Sequence, residues 1–183
     1  MRYAMGDVKS RLSVRDISQI GIMVAIIEVS KLVLSGLPNI ELTSFWLIMF
    51  TLYFGWRIVA VVPVFILVEG AIYGMHLWWI MYLYAWPILV FVTWLLRKRA
   101  SALLSAIVSG IFGLCFGALC AIPYFFIGLS SGGLSSGITS AVTWWIAGIP
   151  WDFVHCIGNF VIMLVFYKPV GRAMKWVVSH ENG

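Results

Sequence analysis

The chain has 183 residues, 62% of them apolar and only 10% charged, with a formal net charge of +5 and a mean hydropathy of +1.01. Soluble domains carry about 25% charged and about 45–50% apolar residues, so these proportions exclude a water-surrounded globule and point to lipid as the solvent. The expected fold is all-α, a single six-helix transmembrane domain over residues 1–183. Its positive charge calls for no nucleic-acid partner, because anionic headgroups can meet it.

Arg2, Lys9, Arg11 and Arg15 precede an apolar run that continues to about Leu34. A signal peptide begins this way, but there is no Ala-x-Ala cleavage site and more hydrophobic segments follow, so the run is read as a retained first helix over 17–35. Further apolar stretches occupy 43–55, 58–75, 77–96, 101–128 and 139–167. About 20 residues are needed to cross a hydrocarbon core, so the stretch 43–55 is expected to be tilted, partly re-entrant or flanked by protein. Between the last two, Gly128-Leu-Ser-Ser-Gly-Gly-Leu-Ser-Ser-Gly137 reads as a flexible loop. No internal repeat is evident.

With the N-terminus in the cytoplasm, Arg2, Lys9, Arg11, Arg15, Arg57, Arg97, Lys98, Arg99, Lys168, Arg172 and Lys175 fall on the inner side, and only Lys31 falls towards the outside. This is the asymmetry of the positive-inside rule, and it predicts two cytoplasmic termini. The outer connections are then Gly36–Glu41, the turn near Gly74–His76 and the Gly/Ser segment.

Charged groups inside spans are costly and so are candidates for function. Glu28 and Lys31 lie one turn apart on the first helix, which suggests a mutual ion pair. Glu69 on the third helix has no basic neighbour within a turn. On the last helix Trp145, Gly148, Asp152, His155 and Asn159 form one stripe at 3–4 spacing. Asp152 and His155 can satisfy each other as packing glue, or they can form the floor of a ligand site with Trp145 above. Pro150 is expected to kink this helix. On the fourth helix Trp79, Tyr82 and Trp86 share a face, and Trp86 lies deeper than an interfacial aromatic belt requires.

Small residues recur at four-residue steps, as Gly21 and Ala25 on the first helix and as Ser109, Gly113, Gly117 and Ala121 on the fifth. Such steps let helices approach closely, within the bundle or against a partner. Cys115, Cys120 and Cys156 sit in apolar runs and read as packing residues. There is no His-Glu-x-x-His, Gly-x-Ser-x-Gly or Walker motif. No enzyme activity, cofactor or metal is therefore expected.

Size, six helices with both termini inside, the Gly21-x-x-x-Ala25 step, Leu37-Pro-Asn-Ile-Glu41 and the Trp/Asp/His-bearing last helix resemble the substrate-binding S components of energy-coupling factor (ECF) vitamin transporters. Family members more typically show Ala at both ends of the first-helix step, where this chain has Gly21. The resemblance implies a protein of the bacterial plasma membrane that captures a vitamin or precursor from outside. It would deliver that ligand by docking on a membrane T component driven by two ATP-hydrolysing subunits. It also implies that Asn39, Glu41, Glu69, Trp79, Tyr82, Trp86, Trp145, Asp152 and His155 line the pocket, while Gly21 and Ala25 face the T component. Acids outnumber bases there, which disfavours a ligand held mainly through a carboxylate; cobalamin, a pyridoxine-type vitamer and a flavin stay open. The rival reading is a stand-alone carrier or channel that uses Glu69, Asp152 and His155 as a relay.

Overall fold

The computed structural model describes residues 13–181, and every element among them is helical. Arg2, Lys9 and Arg11 lie outside the described residues. Helix α1 (Val14–Leu34) opens on a capping box. The Ser13 hydroxyl accepts from the Asp16 N–H at 3.2 Å, and the Asp16 carboxylate accepts from the Ser13 N–H at 3.1 Å. Two N–H groups with no intrahelical partner are satisfied in this way. Asp16 also accepts from Arg57 Nε at 3.0 Å. That bond pins the start of α1 to the junction between α2 (Thr43–Phe54) and α3 (Ile58–Tyr73).

The junction reverses the chain. Gly55 has φ +60°, a conformation that costs glycine little and other residues much, and Gly55–Arg57 form a single 3₁₀ turn. Helix α3 then runs back beside α1 until Glu69 meets Lys31 in an ion pair. The two helices are therefore parallel, with an ion pair near each end. Helix α2 runs the other way, held early in its course by a 2.8 Å hydrogen bond from Trp46 Nε1 to Ser30 Oγ. Its 12 residues measure about 18 Å, and eight of them are buried. The short stretch is thus flanked by protein on nearly every side.

Helix α4 (Leu77–Leu96) leads through a 3₁₀ turn at Arg97–Arg99 to α5 (Ala102–Cys120) and α6 (Ile122–Glu181). The hydrogen-bond ladder continues across Ala121, since Ala121 N–H donates to Gly117 O at 2.9 Å and Phe125 N–H donates to Ala121 O at 3.1 Å. The true break lies inside α6, at Gly132 (φ −153°, ψ 18°) and Gly133 (φ 75°, ψ −167°). These glycines divide α6 into a short limb, 122–131, and a long limb, 134–181.

The flexible loop expected over 128–138 is therefore replaced by helix on both sides of two glycines. The serines do not break the helix because they bond within it, Ser130 Oγ to Ile127 O at 2.8 Å and Ser131 Oγ to Gly128 O at 3.0 Å. Gly128 and Gly137 serve contact between the limbs. A Cβ at Gly128 would lie 2.5 Å from Ser136 O, and one at Gly137 would lie 2.9 Å from Phe125 O. The long limb also continues past the expected end at 167, and it carries Pro150 with helical backbone angles.

Helix α5 and the long limb pack antiparallel in a register that sets small residues against polar ones. Asn159 Nδ2 donates to Ser109 O at 3.3 Å. A Cβ at Gly113 would lie 2.9 Å from the His155 carbonyl and the Cys156 nitrogen, and one at Gly117 would lie 2.3 Å from Asp152 Oδ2. The small-residue step on this helix is thus an internal packing device. Four stretches, Val14–Leu34, Thr43–Tyr73, Leu77–Arg99 and Ala102–His180, are long and apolar enough to cross a membrane. Two of them contain the reversals at Gly55–Arg57 and Gly132–Gly133. The architecture suits a membrane-embedded helical protein.

Candidate functional site

Most of the buried polar and charged residues gather in two clusters, with Thr51, Thr93 and Ser105 lying apart. In the first, the segment between α1 and α2 carries Glu41 to the long limb of α6, where Glu41 Oε1 lies 3.1 Å from His155 Nε2. Ser44 Oγ donates to the same oxygen at 2.9 Å. Burial acts to raise the Glu41 pKa, and the hydrogen bonds from His155 and Ser44 outweigh it, holding the carboxyl below its usual range. An ionised carboxylate only accepts, so His155 Nε2 is the donor. One turn on, Asn159 Nδ2 donates to Ser44 Oγ at 3.2 Å. One turn back, Asp152 Oδ1 accepts from Gly117 N–H at 2.9 Å. Its other oxygen, Oδ2, has no partner, although Asp152 is only 5% exposed.

Asp152 and His155 thus bond to other elements, Asp152 to α5 and His155 to the α1–α2 segment. The reason is the tight hairpin. It brings the Gly117 amide within 2.9 Å of Asp152 Oδ1.

The second cluster sits where α1, α3 and α4 meet. Lys31 pairs with Glu69, which is 1% exposed. The Glu28 carboxyl approaches Glu69 rather than forming the i,i+3 pair expected with Lys31 alone. The Lys31 ammonium lies 5.5 Å from the Phe65 ring centroid, 5.6 Å from that of Tyr73 and 5.4 Å from that of Tyr82. Three aromatic faces around one cation make a cage.

An aromatic column joins the clusters. Tyr82 and Trp86 have ring centroids 5.2 Å apart, Trp86 and Phe116 5.6 Å, and Phe116 and His155 5.1 Å. Trp86 is 1% exposed, and its Nε1 has no hydrogen-bond partner. Its depth on the fourth helix is the depth of this column.

Of the nine residues expected at the site, Glu41, Glu69, Tyr82, Trp86, Asp152 and His155 belong to this assembly. Trp79 borders it and is spoken for, with Nε1 donating to Ile66 O at 2.7 Å. Gly70 leaves the room that indole needs, since a Cβ there would lie 2.6 Å from Trp79 Nε1. Asn39 is exposed, at φ 55°. Trp145 is 42% exposed. The backbone angles at Pro150, between Trp145 and Asp152, stay helical.

Sequence reasoning missed Lys31 as the partner of Glu69, as well as Phe65, Tyr73 and Phe116. For Phe116 a signal was present: Phe112 and Phe116 are one turn apart on a helix otherwise rich in small residues. The relay proposed for a stand-alone carrier is divided, with Glu69 in one cluster and Asp152 and His155 in the other.

Gly21 and Ala25 are exposed on α1, and a Cβ at Gly21 meets nothing within 4 Å. The three cysteines are free. No protein family, curated protein or solved structure compared with the chain matches it.

Proposed function

We propose that the chain is the substrate-capturing S component of an ECF-type importer, spanning a bacterial plasma membrane six times with both termini in the cytoplasm. It would bind a vitamin-like heterocycle and hand it to a T component driven by two ATPase subunits. The observation that carries the reading is that two of the buried polar atoms without hydrogen-bond partners, Asp152 Oδ2 and Trp86 Nε1, are set around an aromatic column that a flat ring can join. Buried polar atoms without partners are costly, and a ligand that supplies a donor to Asp152 and an acceptor to Trp86 would remove both costs. The basic residues Arg57, Arg97, Lys98, Arg99, Lys168, Arg172 and Lys175 support the orientation.

Asp152→Ala is expected to weaken ligand binding by roughly 2 kcal/mol, about thirtyfold in affinity, as loss of a central buried contact does. Trp145→Ala, at an exposed position, should leave it near wild type. Tryptophan-fluorescence titration in detergent, with the small molecule that co-purifies as identified by native mass spectrometry, measures both. Wild-type affinity in a folded Asp152→Ala variant would remove Asp152 from the site.

The import mechanism has its own test. Gly21→Leu and Ala25→Leu add bulk to the open face of α1, so the fold and ligand binding should survive while ATP-dependent uptake is lost. Uptake that persists in liposomes without ATPase partners would refute the S-component reading.

A further inference from the structure

Four of the chain's seven acidic residues, Glu28, Glu41, Glu69 and Asp152, lie in these two clusters. Lys31 and His155 are the basic residues set against them. The cage described above already holds an ammonium, on the chain's own side chain. That side chain is 19% exposed, while its partner Glu69 is 1% exposed. The anion is therefore fixed in the interior, and the cation stands at the rim on a flexible four-carbon stem that can turn towards water.

We propose that the Glu69–Phe65–Tyr73–Tyr82 cage is the seat for a positively charged nitrogen on the transported molecule, an ammonium or an N-alkylated heteroaromatic ring, and that Lys31 occupies this seat until the ligand displaces it. The inference rests on the capture reading above and names its substrate class. Burying a charged ligand in an apolar bundle is ordinarily prohibitive. Here one cation replaces another, so the charge of the interior does not change and Lys31 regains its hydration. Tyr82 belongs both to the cage and to the aromatic column. A ring carrying the charged nitrogen would therefore extend along the column towards Trp86 and the open oxygen of Asp152.

The test uses the full chain in detergent at pH 8. Lys31→Ala vacates the seat, and n-butylammonium replaces the missing side chain. Millimolar n-butylammonium should raise the thermal midpoint of Lys31→Ala, whereas n-butanol should not, and wild type should respond to neither. For an aromatic probe, N-methylquinolinium should bind wild type at least tenfold more tightly than uncharged quinoline. It should bind Lys31→Ala about tenfold more tightly again, and Glu69→Gln should abolish the preference for charge. The wild-type comparison stands even where Lys31→Ala cannot be isolated. Equal binding of N-methylquinolinium and quinoline by wild type, or no response of folded Lys31→Ala to n-butylammonium, overturns the cation seat. Neither result bears on the capture reading, which depends on ATP-dependent uptake.

Discussion

Lys31→Met is expected to destabilise the folded chain by about 3–5 kcal/mol, the usual cost of leaving one partner of a buried ion pair alone. The carboxylate left behind, Glu69, is 1% exposed. Glu69→Leu should cost less, because the Lys31 stem can carry its charge outwards. Lys31→Met combined with Glu69→Leu should recover most of the loss, since apolar groups of similar volume often replace a buried pair without penalty. Unfolding in mixed micelles, read by tryptophan fluorescence, measures the cycle. A double variant no more stable than Lys31→Met would mean that the pair is not the source of the effect.

The second large effect belongs to the hairpin. Gly113→Ala should cost about 1–3 kcal/mol, the range for overpacking a tight interface. Its Cβ would press on the backbone of His155 and Cys156 at 2.9 Å, and backbone in a helix cannot step aside. Gly117→Ala makes the closer approach on paper, 2.3 Å, but to the Asp152 carboxylate, which can rotate. This substitution should leave the fold largely intact and lower ligand affinity by displacing Asp152. Melting temperature and ligand titration, measured on both variants, separate the two outcomes. If Gly117→Ala lost stability while keeping affinity, Asp152 would be a packing residue only.

The residues that signalled structure most clearly did so through local rules. The apolar stretch 43–55 was short for a span, and of the tilted, re-entrant and protein-flanked alternatives the structure shows α2 with eight of its 12 residues buried by protein. The four-residue step Ser109–Gly113–Gly117 implied a helix at contact distance, and the long limb of α6 supplies it. Asp152, His155 and Asn159 were legible as one stripe because helical periodicity is set within a few residues. Their partners were not. Glu41 and Ser44 reach this stripe from more than 100 positions away, and no local pattern encodes that pairing.

The i,i+3 spacing of Glu28 and Lys31 misled for the same reason, since a third charge from α3 outcompeted the local one. In 128–138, composition suggested a loop. Glycine serves close packing as readily as it serves flexibility, and serine in a helix bonds its own turn. Only the neighbouring limb could decide between these uses.

The shortness of α2 constrains how the chain assembles. A helix of about 18 Å with Thr43, Ser44 and Thr51 buried is poorly suited to wait in lipid by itself, because its polar hydroxyls and the preceding Glu41 would face hydrocarbon. The groups that receive Glu41 and Ser44, His155 and Asn159, lie on the last helix and are made after every other element except the rest of that helix. The hairpin of α5 and α6 closes through contacts that lie wholly within the C-terminal half. Final seating of α2 must then follow it, so the N-terminal half of the bundle stays provisional until synthesis of the C-terminal half is complete.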